Sequence, residues 1–311
     1  MNSFFSRFFV VALAIGLIAG CGRRVADSGA GRPVVGLVVK TLNNPFFIDM
    51  ERGAEEAARS RGIVLLVQAA EREVDVERQM QIAENLIQRK VSVLIIAPSG
   101  SREIVPVILK ANRAGIPVII VDTRVDAAEL ESAGGRIATF IGSDNYEGGR
   151  LAGQFLVERM GSRARLAVLE GIPGHETSDA RLRGFREALA PYPEMMVVAS
   201  QPANWERDQG YNVCQNILQA HPDVNALFAA SDLMALGATE AIAAAGLTRK
   251  ITVVGFDAID EARQAVRRGA MAGTVAQNPV RMGAVGVEWA TRILGGETPP
   301  PTVAVPIELV K

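Results

Sequence analysis

Val34-Val35-Gly36-Leu37-Val38-Val39, followed at once by Lys40-Thr41-Leu42-Asn43-Asn44-Pro45-Phe46-Phe47, is the stretch on which the fold turns. The apolar run has the length and Val content of a strand buried on both faces, as in a parallel sheet. Pro45, with its preset φ, suits the first turn of a helix, and the helical pattern over 47–61 stops at Gly62. Lys40 and Asn44 therefore sit where a parallel strand ends and a helix begins, the place where open α/β sheets bind ligands. Phe46 and Phe47 lie beside them. An amide that donates and accepts, next to flat apolar rings, suits a molecule with hydroxyls on its edge and C–H groups on its faces, such as a sugar. The same residues also read plainly, Asn44 as a helix cap and the two rings as core. The stretch alone leaves both readings open.

Strand and helix alternate from there almost to the end of the chain. Strands are expected over 63–68, 91–97, 116–121 and 137–141, with a helix capped by Asp75 and bearing Met80, Ala83, Leu86 and Ile87, another over 101–114, and an irregular stretch over 125–136. The rhythm then resumes. Helices are expected over 146–160, 178–190, 206–220, 232–245, 260–268 and 279–294, with strands over 166–169, 195–199, 224–229, 251–254 and 272–276. A single final strand is expected over 303–310. Gly148, Gly149 and Gly153 fall inside a helical pattern with no strand leading into a glycine turn, so they read as packing glycines. Such alternation predicts an α/β fold of doubly wound parallel sheets, and about 280 residues are enough for two lobes.

The first residues set the compartment. Arg7, the apolar run 8–19 and Gly20-Cys21 read as a secretory signal over residues 1–20. Residues 21–32, rich in Gly, Ala and Ser, read as a tether. The chain carries 33 basic and 34 acidic residues for a formal charge of −1, which offers no basic field for nucleic acid. Cys214, the only cysteine besides Cys21, falls in a helical pattern and reads as a buried core thiol.

Polar residues gather at the expected strand ends: Lys40, Asn44, Asp122, Ser231 with Asp232, and Asp257. Ala97 holds another such position, and Arg181, Trp205 and Gln277 lie in or beside loops on the same edges. If two sheets face each other, these positions converge on one cleft. A carboxylate such as Asp122 or Asp257 accepts from two adjacent hydroxyls, and the planar fork of Arg181 donates to two oxygens. Each charged hydrogen bond contributes roughly 1.5–3 kcal/mol when water is excluded. Trp205 offers an apolar face, like Phe46 and Phe47. Lys40 is expected to stand exposed in the open cleft, and Asp232 to cap its helix.

These motifs resemble the periplasmic sugar-binding proteins of the ribose/allose type, the receptor components of ABC importers. The resemblance covers the body from Val34 to Lys311. It rests on 41–47, on Ile116-Pro117-Val118-Ile119 ending at Asp122, and on Gly142-Ser143-Asp144-Asn145. It continues through Arg181 ahead of Gly184-Phe185, Ser200-Gln201-Pro202-Ala203, 232–237, Val253-Val254-Gly255-Phe256-Asp257 and Thr274-Val275-Ala276-Gln277. It implies two lobes of the type I periplasmic binding protein class, residues 33–143 plus 278–305 and residues 144–277 plus 306–311. A three-segment hinge near Ser143, Gln277 and Pro306 would join them. It implies ligand contacts at Lys40, Asn44, Phe46, Phe47, Asp122, Arg181, Trp205, Ser231, Asp257 and Gln277. Leu17-Ile18-Ala19-Gly20-Cys21 resembles a bacterial lipobox, which implies a lipid anchor on Cys21 in the cell envelope. The implied partners are a monosaccharide, ABC permease subunits and the membrane that holds the anchor. The implied state is a monomer without cofactor, metal or catalytic residues.

Four positions depart from the ribose-type pattern. Lys40 stands where a small hydroxyl residue is usual, Ala97 and Ser231 each stand where Asn is usual, and Thr123 replaces a basic residue. Lys40, Trp205 and Ala276-Gln277-Asn278-Pro279 are closer to allose-type receptors. A polyol, a furanosyl signal molecule or service to a chemoreceptor remain alternatives within binding. A transcriptional repressor of the same body needs a helix-turn-helix where this chain has a signal and tether. Against an enzyme, His175 and His221 lack metal-ligand spacing, and no nucleophile elbow, Walker loop or dinucleotide fingerprint occurs.

Overall fold

The computed structural model describes residues 32–311, so the expected signal, Cys21 and the tether through residue 31 lie outside the described residues. The first sheet is built from β1 (Val34–Thr41), β2 (Val64–Ala70), β3 (Val93–Ile96), β4 (Val118–Val121) and β5 (Thr139–Gly142). Between these strands run α1 (Pro45–Arg61), α2 (Val76–Gln88), α3 (Val105–Arg113) and α4 (Ala127–Ser132). The second sheet takes β6 (Ala164–Glu170), β7 (Met195–Pro202), β8 (Ala226–Ala229), β9 (Thr252–Asp257) and β10 (Gly273–Ala276). Its helices are α5 (Asn145–Arg159), α6 (Glu176–Leu189), α7 (Arg207–Ala220), α8 (Asp232–Ala244) and α9 (Asp260–Arg267). After β10 the chain returns through α10 (Pro279–Leu294) to β11 (Thr302–Ala304), which pairs with β5, then crosses back to β12 (Glu308–Val310), which pairs with β10.

Each sheet has six strands, in the orders β11-β5-β4-β3-β1-β2 and β12-β10-β9-β8-β6-β7. Every pairing is parallel except β10 with β12. The opening run behaves as its composition requires: Val35, Leu37 and Val39 enter one hydrophobic cluster while Val38 enters the other. Both faces of the sheet are covered, and each fully buried Val or Leu contributes about 1.5–3 kcal/mol. Cys214 is buried, and the lack of water around it pushes its thiol up to about 12.

Several local expectations are corrected. The final segment is two strands in different sheets, because Val305 donates to Gly142 O and Pro306 then breaks the ladder. Part of 125–136 is helical: Asp126 Oδ1 accepts from Glu129 N at 3.0 Å, and α4 buries no residue, so no apolar period announced it. The helix expected from 101 begins at Val105, after a run of turns. The helix after β1 begins at Pro45 because Asn44 Oδ1 accepts from Phe46 N at 3.0 Å.

Candidate functional site

The strand ends of the two sheets line a cavity between them. All ten residues named from the sequence line it: Lys40, Asn44, Phe46, Phe47, Asp122, Arg181, Trp205, Ser231, Asp257 and Gln277. Glu73 and Thr177 line it as well, and the sequence reading had missed both. Glu73 lies just past β2, at a strand end like the others, but Glu71-Arg72-Glu73 reads as a solvated charged loop. Ala97 is absent from the wall; its carbonyl accepts from Gln79 Nε2 at 2.9 Å.

On the first sheet, Lys40 is near the end of β1 and only 3% exposed, where the expectation had it exposed in an open cleft. Its Nζ lies 3.2 Å from Asp122 Oδ2 and 3.9 Å from Glu73 Oε2. Asn44 works in two directions, capping α1 through Oδ1 and donating from Nδ2 to Glu73 Oε1 at 2.9 Å. Phe46 and Phe47 meet edge to face with centroids 5.2 Å apart, and the Lys40 ammonium sits 5.5 Å from the Phe47 centroid. Burial, opposed by Lys40, pushes the Glu73 carboxyl up to about 7.

On the second sheet, Arg181 is held from three sides. Its Nε donates to Asn145 Oδ1 at 2.9 Å, and its Nη1 donates to Ala230 O at 2.6 Å and approaches Asp257 Oδ1 at 3.4 Å. The guanidinium stacks 3.7 Å from the Phe256 centroid, a fixed cation over an aromatic face. Gly149 makes this possible, since a Cβ there would lie 2.0 Å from Arg181 O. Gln277 Nε2 donates to Asp257 Oδ1 at 2.8 Å. Burial pushes Asp257 up to about 6, against the pull of Arg181.

Asp232 does not cap its helix, contrary to expectation. Ser231 is the cap, its Oγ accepting from Met234 N at 3.5 Å. Asp232 instead accepts from Thr274 Oγ1 at 2.7 Å and Ile259 N at 2.9 Å, tying α8 to β10 and to the turn that follows Asp257. Burial and the nearby Asp257 hold its pKa well above the usual carboxylate range.

Three wall residues hold left-handed backbone: Asp122 at φ 64°, Trp205 at φ 67° and Asp257 at φ 110°. Strain of this kind is kept where surrounding structure fixes it, and it collects at functional sites. Trp205 is seated on Gly171, where a Cβ would fall 2.0 Å from its ring. Its Nε1 donor and the Gln277 Oε1 acceptor are buried without a protein partner, and such groups are rarely left unsatisfied. The cavity wall thus offers apolar rings, fixed charges and spare donors and acceptors. Among the described residues no cluster of three or more His, Cys, Asp or Glu could hold a metal.

Polar contacts close the cleft across its mouth. Thr123 Oγ1 donates to Asp122 Oδ2 at 2.9 Å, so Thr177 is the donor in its own 2.9 Å bond to Thr123. His175 Nε2 bonds to Ser99 O, Glu176 N donates to Ser101 Oγ at 3.4 Å, and Arg72 pairs with Glu206 at 3.4 Å. Burial and the Lys40 charge pull the His175 pKa down to about 3, so the ring is neutral in this arrangement.

The profile of the periplasmic binding protein domain matches residues 35–298. The D-allose-binding periplasmic protein of Escherichia coli (strain K12) is 35% identical over 268 residues, 86% of this chain and 86% of that protein. The ribose import binding protein RbsB of the same organism is 37% identical over 286 residues, 92% of this chain and 93% of that protein. The structure of an ABC transporter periplasmic solute binding protein from Actinobacillus succinogenes 130z, with bound D-allose, superposes with a TM-score of 0.86. It is 41% identical, and the match covers 90% of this chain and 98% of that one. Two doubly wound lobes, a cavity between their strand ends and a profile match along most of the length agree, and the chain belongs to the periplasmic binding protein domain family.

Proposed function

We propose that this protein is an extracytoplasmic receptor that binds a monosaccharide of the ribose or allose kind and delivers it to an ABC importer. The observation that carries the reading is the cavity wall, where Asp122, Asp257 and Arg181 stand beside the rings of Phe46, Phe47 and Trp205. Carboxylates and a planar cation grip adjacent hydroxyls, while the rings meet the C–H faces of a sugar. The names of the relatives support the same ligand class. The lobes act as residues 33–143 plus 278–305 and residues 144–277 plus 306–311, and they close by rotation at Ser143, Gln277 and Pro306. The protein works as a monomer and by binding alone, so the sugar is released unchanged; a product after prolonged incubation would contradict this.

Cys21 carries a lipid anchor in this proposal. The wild type should partition into detergent, and Cys21→Ser should move it to the aqueous phase or leave an uncleaved precursor. Partitioning that ignores the substitution would remove the anchor from the proposal. For the receptor itself, the test is a thermal-shift screen of pentoses, hexoses and polyols. A ligand at a hundred times its Kd adds about 2.7 kcal/mol of stability. D-Allose or D-ribose should give a clear shift, and no shift with any sugar would contradict a monosaccharide receptor.

A further inference from the structure

Glu73 has a free oxygen in a wall where most polar atoms are engaged. Its Oε1 accepts from Asn44 Nδ2 at 2.9 Å. Its Oε2 stands 3.9 Å from Lys40 Nζ, too far for a direct hydrogen bond. Lys40 is drawn the other way, to 3.2 Å from Asp122 Oδ2. The charged groups bearing on Glu73 come from three other segments: Lys40 in β1, Asp122 after β4 and Asp257 in β9. The wall therefore sets three carboxylates, Glu73, Asp122 and Asp257, against two cations, Lys40 and Arg181.

The 3.9 Å gap between Nζ and Oε2 is shorter than two hydrogen bonds of about 2.8 Å laid end to end. One oxygen atom can therefore sit at bonding distance from both. It must accept from the ammonium and donate to the carboxylate at once. An ether oxygen only accepts, an ammonium only donates, and a ligand carboxylate would meet Glu73 as a like charge; a hydroxyl does both. We propose that Glu73 and Lys40 form a clamp for a single ligand hydroxyl, and that Glu73 thereby decides which deoxy or epimeric sugars the cleft rejects. This inference rests on the receptor reading above.

The test is a cycle of protein and ligand changes read by calorimetric titration. Wild type is titrated with D-allose and D-ribose, then with the monodeoxy and monofluorodeoxy forms of whichever binds tighter. One ring position should lose at least tenfold in affinity when its hydroxyl is removed, and fluorine there should fail as badly, since it cannot donate. In Glu73→Gln the amide oxygen stays on Asn44 and an NH2 replaces Oε2, so the penalty at that position should fall below threefold. Glu73→Asp, which withdraws the carboxylate by one methylene, should also flatten the discrimination and covers the case in which the amide variant misfolds. Equal penalties at every position in wild type and variants would overturn the clamp and mean that the gap holds water. A wild type that binds no monosaccharide would overturn the receptor reading, and the clamp with it.

Discussion

The ammonium of Lys40 stands 3.2 Å from Asp122 Oδ2, and the two side chains are 3% and 4% exposed. A lysine at a strand end is thus a buried member of an ion pair, with Glu73 as a second anionic neighbour. Removing it leaves two carboxylates without their cation. Breaking a buried pair from one side costs about 3–5 kcal/mol, less where an opening cleft admits water. Lys40→Met should therefore lower the stability of the ligand-free protein by at least about 2 kcal/mol in denaturant unfolding, and adding Glu73→Gln should restore part of it. A Lys40→Met variant as stable as wild type would mean that the pair is not buried.

Glu73 gives a pH signature. Its folded pKa of about 7 lies above the ordinary 4.5, so the folded state holds the proton more tightly. The stability this provides is fully present below about 4.5 and is lost as pH rises through about 7. Asp257, raised to about 6, acts in the same sense. His175, lowered to about 3, acts in the opposite sense, its contribution being lost as pH falls below 6.5. Comparing wild type with Glu73→Gln isolates the first effect. Between about pH 8 and about pH 5.5 the wild type should gain up to about 2 kcal/mol relative to the variant, less as the unfilled cleft opens to water. Parallel stability curves would contradict the burial of Glu73.

How far the sequence carried depended on how local the cause was. Strand and helix periodicity gave the two sheets, and the rule that ligands gather at strand ends gave Asn44, Asp122 and Asp257, with Arg181, Trp205 and Gln277 in or beside loops on the same edges. What failed was non-local. The burial of Lys40 depends on Glu73 and Asp122, which the chain brings from other strands. Asp232 looks like a cap beside Ser231, and only the fold supplies Thr274 and Ile259 as its partners. Glu73 was hidden by its neighbours Glu71 and Arg72, both exposed. The division of the last strand came from Val305 reaching Gly142, a contact no pattern near Pro306 announces.

The bonds that close the cleft are few and polar, among them Thr123 to Thr177 and His175 to Ser99. Contacts of this kind give modest net stability in water, so the lobes should part when the cavity is unfilled and close around ligand by hinge motion. Small-angle scattering should record a smaller radius of gyration when the best sugar is added. An unchanged radius at saturating ligand would contradict hinge closure at Ser143, Gln277 and Pro306.

Arg181 and Asp257 face the same cavity, 3.4 Å apart, and a sugar held there must engage one or both. Loss of either leaves a buried charge or ligand hydroxyls unpaired, which exceeds the average worth of the bond. The measurement is calorimetric titration of wild type, Arg181→Ala and Asp257→Ala with the sugar that gives the largest thermal shift, each variant first shown to be folded. Binding should weaken at least tenfold in each variant, a loss of about 1.4 kcal/mol or more. Folded variants that bind the sugar as tightly as wild type would contradict the placement of the site in this cavity.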